Sequence, residues 1–183
     1  DVVRDGNVAI TPAEIPDSPL ERSEHLKAAG YYFDASMMGV AALPAEALLG
    51  TPIRNAQVAT IAEELQRSEP KSFAAGMDMI LADVMDAARA THGSITHHHH
   101  AIVVLVEYPR DPLPDESGCE WIEGTQAHRA ALLSAQTAVL LASYLRMLGF
   151  EARSHTATCT DVCLNRLAVQ AGLVHTDLRN PYL

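Results

Sequence analysis

Four consecutive histidines, His97 to His100, are the densest group of metal-ligating side chains in the chain. Neutral imidazole binds zinc, copper, nickel or iron, so a metal site is one expectation for this run. Successive side chains on a strand face opposite ways, so at most two of the four can serve one ion. The plainer alternative is an exposed polar run leading into a buried strand. A second grouping is Cys159 and Cys163 with His155 nearby. Placed at the start of a helix, Cys163 would have its thiol pKa lowered by the dipole. The cysteine spacing is permitted for zinc, but only three ligands are visible, and buried free cysteines are the simpler reading. Tyr31, Tyr32, Tyr108 and Tyr144 offer phenols, which donate protons well beside a cation. Asp34, Asp78, Asp83 and Asp86 form no acid–base pair. Neither a Gly-x-Ser-x-Gly elbow nor a glycine-rich phosphate loop is present. The chain holds no complete catalytic motif.

Those residues sit in a chain of 183 residues, 48% hydrophobic and 20% charged, long enough to bury a core without staples. Its net charge of −10, with no stripe of Lys and Arg, would repel a phosphate backbone, so no nucleic-acid partner is expected. Three cysteines are too few for a disulfide framework, and a reducing, cytoplasmic compartment is expected. No basic segment followed by an apolar one opens the chain. The apolar stretch Ala130 to Leu148 carries Ser134, Gln136, Thr137, Ser143 and Arg146, which a bilayer centre would penalise, so no membrane span is expected. The chain starts without Met and stops at Leu183, which reads as a fragment of a longer chain, a processed product or an ordered remnant, with a second copy or the remainder of a longer chain as an expected partner.

Local signals place these residues on an α+β framework. Residues 1–17 read as an extended arm, and 18–183 as a single domain. Ser18, Pro19 and Glu21 make a capping box that opens a helix, with Gly30 as its stop. Tyr31 to Val40 reads as a strand. A loop with Pro44, Gly50 and Pro52 precedes a second capping box at Thr60 to Glu63, and a helix is expected over Phe73 to Ala90. Ala101 to Val106 is an unbroken apolar run, as in a strand buried on both faces and central to its sheet. Residues 126–148 form a long helix, apolar on nearly every face and therefore expected to be buried. Phe150 to Ala157 alternates like a half-buried strand. Thr160 and Asp161 then open a last helix, closed by Gly172.

Several of these segments resemble a known family in order and spacing. Gly30-Tyr31-Tyr32-Phe33-Asp34-Ala35 with Gly39-Val40-Ala41, the strand Ala101 to Tyr108, the passage Leu140 to Ala152 with its Leu148-Gly149-Phe150, and Leu167 to Leu173 are similar to reductive dehalogenases. Epoxyqueuosine reductase is a cousin. The resemblance covers about Ser23 to Leu173. It implies a nitroreductase-like α+β domain that holds cobalamin and takes a small organohalide substrate. It also implies electrons from iron–sulfur clusters, which must lie outside this segment because the cluster-binding cysteine run is missing. Gly172, Leu173, Val174, Arg179 and Asn180 would then line the corrinoid. Val174 stands where the family has a glycine, which narrows backbone approach and leaves a vestigial, non-catalytic scaffold as the alternative. No tyrosine falls at the family's proton-donor position.

Overall fold

The structure, a computed structural model, describes residues 4–55, 57, 60, 64, 93–108 and 110–175. The helix expected over 73–90, residues 61–63 of the second capping box, and Arg179 and Asn180 lie outside these residues.

Helix α1 (Pro19–Tyr32) starts as its sequence dictates, with Pro19 in the first turn and the Ser18 hydroxyl accepting from the Glu21 N–H at 3.4 Å. Gly30 does not stop it. The glycine is buried inside the helix, where the Met38 side chain would overlap any Cβ, so its role is to let β1 (Met37–Ala42) pack close. The strand accordingly begins at Met37 rather than Tyr31. It pairs antiparallel with β3 (His100–Leu105), from Met37 opposite Leu105 to Ala42 opposite His100.

Strand β3 explains its own apolar run. Ala101 and Val103 pack toward a core of Ala47, Ile95, Val162 and Leu167, whereas Ile102 and Val104 pack toward Ala35, Met38 and Leu141. Both faces of the ribbon are therefore covered. Among the described residues, however, β3 pairs with β1 alone and its side chains are half-buried, so the expected central, fully buried strand is corrected on that point.

A single 3₁₀ turn at Ala45–Ala47 leads into β2 (Leu48–Ile53), a strand where the sequence had suggested a loop. Pro52 is tolerated because the pairing partner, β4 (Thr160–Val162), matches it only at Leu48–Val162 and Ile53–Thr160, with an irregularity between. Short α2 (Cys119–Ile122) precedes the long α3 (Thr125–Met147). After Phe150 the chain runs irregularly through one isolated Thr156–Cys159 bridge instead of forming the expected strand. Thr160 and Asp161 belong to β4, and the last helix, α4 (Leu164–Gln170), begins only after Cys163.

The expectation of a buried helix over 126–148 also needs correction. Ala130, Thr137, Leu141 and Arg146 form a buried stripe, and the Thr137 hydroxyl donates to the Phe33 carbonyl at 2.7 Å. Leu132, Leu140, Tyr144 and Met147, at helical spacing on the other side, are exposed. Among the described residues only α1 and β3 make an extended contact with this helix. Apolarity on every face shows that a helix is suited to burial, not which elements bury it. Together with α2, this helical stretch, Cys119–Met147, is long and apolar enough to cross a membrane by length and composition, and 28% of its most apolar window is buried.

The arm before α1 is not detached. The Ala9 and Ala13 N–H groups donate to the Arg146 and Leu148 carbonyls at 2.9 Å, and Arg4 is fully buried.

Candidate functional site

Three features bear on function: the turn that ends α4, an ionic hub at Asp161, and a cleft beside the polar segment that follows Phe150. The first is the turn expected to line a corrinoid. Gly172 has φ +70°, and the Gly172 and Leu173 N–H groups donate back to the Val169 and Ala168 carbonyls at 3.0 Å, closing α4. The turn lies flat on β1, because a Cβ at Gly39 would meet the Ala171 Cβ at 2.9 Å and Leu173 Cγ at 3.2 Å. Among the described residues, nothing beyond its chain neighbours lies within 4 Å of the Cβ position of Gly172, so its outer side is open to them. Leu173 and Val174 are half-buried and His175 is exposed.

The second feature is a largely buried ionic hub centred on Asp161. The Asp161 carboxylate accepts from Arg4 at 2.6 Å, from Arg54 at 2.5 Å and from Arg153 at 3.2 Å. Arg4 also donates to the Ser154 carbonyl at 3.1 Å and to the Cys159 sulfur at 3.1 Å. Arg153 reaches Asp5 at 2.7 Å and the Gly93 carbonyl at 2.7 Å. Burial alone would raise the Asp161 pKa, but hydrogen bonds from Arg54 and Arg4 outweigh it and hold the carboxyl far below the usual range. His155 Nδ1 faces the Arg4 guanidinium at 3.3 Å and accepts the Asp161 N–H at 3.3 Å. That nitrogen is surrounded by donors. Burial first, and then Arg4, push the His155 pKa down to about 4. The hub ties the arm, the end of β2, the 153–155 segment and β4 together.

The third feature is a cleft of about 330 Å³ whose walls include Asp5, Ser94, His97, His98, Glu151 and Arg153. The histidine run divides here. The His98 N–H donates to the Ile95 carbonyl at 3.0 Å, closing a turn that brings two consecutive side chains to one side. Their ring centroids are 4.4 Å apart, and His97 Nε2 is 2.9 Å from Glu151 Oε2. His100 opens β3 opposite Ala42, and the His99 carbonyl just before it accepts from the Leu43 N–H, continuing the line of the ladder. The strand-alternation argument does not apply to the first pair, because His97 and His98 precede the strand.

Among the described residues, the structure does not gather His155, Cys159 and Cys163 into a metal-ligating group. Cys159 is buried against Arg4, while the Cys163 N–H pairs with the Ala47 carbonyl at 2.8 Å. Tyr31, Tyr32, Tyr108 and Tyr144 are exposed. The hub residues Arg4, Arg54, Arg153 and Asp161 carry no local signature, since Arg4 and Asp161 lie 157 residues apart. Glu151 is equally silent in sequence, and only its position across the cleft identifies it.

No family model matches this chain, and no curated protein does. Solved structures do. The α+β chain aligns with a catabolic reductive dehalogenase, NpRdhA, at 32% identity and a TM-score of 0.59, covering 92% of this chain and 18% of that one. A reductive dehalogenase whose structure suggests a mechanism for B12-dependent dehalogenation aligns at 32% identity over 96% of this chain and 19% of its own length, TM-score 0.63. NpRdhA in complex with 3-bromo-4-hydroxybenzoic acid aligns at 32% identity over 93% of this chain and 18% of that one, TM-score 0.58. The chain is thus a partial match to the reductive dehalogenases, spanning 18 to 19% of the length of these relatives.

Proposed function

We propose that this chain is part of the corrinoid-holding, nitroreductase-like domain of a reductive dehalogenase-type oxidoreductase. The observation that carries the proposal is the likeness just described, at 32% identity along 93 to 96% of the chain, to proteins described as B12-dependent or as holding a halogenated aromatic acid. The closing turn of α4 is compatible with such a cofactor. Its open side at Gly172 leaves room for a flat group, and Gly39 keeps the turn pressed on β1 from behind. Gly172, Leu173 and Val174 would then contact the corrinoid, and Arg179 and Asn180 would donate to the phosphate or amide groups of its tail. The cobalt would supply the electrons that cleave a carbon–halogen bond, and this chain would supply apolar burial and orientation. Iron–sulfur clusters and the rest of the substrate pocket belong to other segments in this proposal, and the substrate is a small organohalide.

The vestigial alternative rests on Val174, whose side chain occupies the same turn. Cobalamin added to the purified protein separates the two readings, with binding followed by the shift of its visible bands and by calorimetry. Micromolar or tighter binding, lost in Gly172→Trp with the fold retained by circular dichroism, is the expected result. Absence of heat and of any spectral shift at high cobalamin concentration would favour the scaffold.

A further inference from the structure

We propose that His97, His98 and Glu151 form a binding site for a borderline divalent transition metal of the zinc type, independent of any corrinoid. One ligand atom from each residue lies within 4.8 Å of the other two, and among the described residues no other trio of His, Cys, Asp or Glu does so. The residues come from separate parts of the chain, a turn before β3 and the segment after α3, so the grouping is made by the fold. His97 Nε2 and Glu151 Oε2, at 2.9 Å, are already close to the edge of a tetrahedron with zinc–ligand bonds of about 2.0–2.1 Å.

An independent observation concerns His98. Its Nε2 is closed off from solvent and, among the described residues, makes no hydrogen bond, so the ring holds a polar nitrogen that none of them satisfies. Two imidazoles and a carboxylate are the ligand types that zinc, nickel and copper accept. Three protein ligands leave a coordination position for water, and the cleft gives it access. The site is also distinct from an unorganised histidine run, because Glu151 contributes while His99 and His100 run into the ladder.

The test titrates the full chain, prepared without a histidine tag, with Zn²⁺ by calorimetry and with Co²⁺ by visible absorption. Saturation at a single equivalent is expected. Glu151→Gln and His98→Ala should each weaken binding about tenfold or more, while the double change His99→Ala, His100→Ala should leave it within about twofold. Glu151 is exposed, so its substitution should not unfold the protein, and circular dichroism checks this. Unchanged affinity in Glu151→Gln, loss of binding only on removing His99 and His100, or no saturable binding of either metal would each overturn the proposal. Cobalamin binding is measured separately and has no bearing on this outcome.

Discussion

The β1–β3 ladder runs in unbroken register from Met37–Leu105 to Ala42–His100 and is covered by apolar side chains on both faces. The β2–β4 pair meets at only two positions, and beside it lies a carboxylate held by three guanidinium groups. The first ribbon is held by burial, which tolerates small errors of shape at modest cost. The second is held by a buried charge network, which is stable only while every member is present. The turn proposed to face a cofactor rests on the first ribbon, against Gly39 of β1, and closes the helix that follows β4 in the chain.

Removing the hub carboxylate should have the largest effect. Asp161→Ala leaves the buried Arg4 and Arg153 without their common partner, and should cost about 3–5 kcal/mol in chemical denaturation. A variant melting like the parent would show that the second pair does not depend on its charges.

Acid should weaken the same region next. An unfolded His155 takes up a proton near its ordinary pKa of 6.5, while the folded one does so only near pH 4. Between those values the unfolded state binds more protons, so stability falls as pH falls, by up to about 3 kcal/mol from this site. Asp161, depressed below the usual carboxylate range, adds a further loss once the pH drops below its unfolded value. His155→Gln should flatten the stability curve between pH 6.5 and 4; an unchanged slope would assign the acid sensitivity elsewhere.

On the apolar side, the comparison sharpens to two adjacent residues of α3. Leu141, 3% exposed in the core with Met38, should lose about 2–3 kcal/mol on change to Ala. Leu140, 37% exposed, should lose under about 1 kcal/mol even on change to Asp. Equal losses in thermal melts would mean that the outer face of α3 is covered in solution.

Much of the ladder region was legible because its signals are local. The capping box at Ser18, the apolar run before Val106 and the apolar length of α3 report periodicity and caps, which neighbouring residues fix among themselves. Strand β2 was hidden by Pro52 and Gly50. The alternation after Phe150 misled because backbone pairing needs a partner strand, and irregular chain there lets Arg153 and His155 reach the hub instead. In the candidate site, the sequence identified His97 and His98 by residue type, and the 171–174 turn by its glycine and its resemblance. It could not identify Arg4, Arg54, Arg153 or Asp161 as one network, nor Glu151 as the residue facing the histidines.

By itself, then, the sequence determined an acidic α+β chain, the main helices and the strand ending at Leu105, and the likeness to reductive dehalogenases. Each follows from residue type and short-range spacing. Tertiary structure alone decided which face of α3 is buried, that the N-terminal arm delivers Arg4 to Asp161, and that a turn rather than a strand carries His97 and His98 toward Glu151. Those outcomes join residues 53 to 157 positions apart, and electrostatic or coordinate partnership at that separation is set by how the chain folds back, not by any pattern along it.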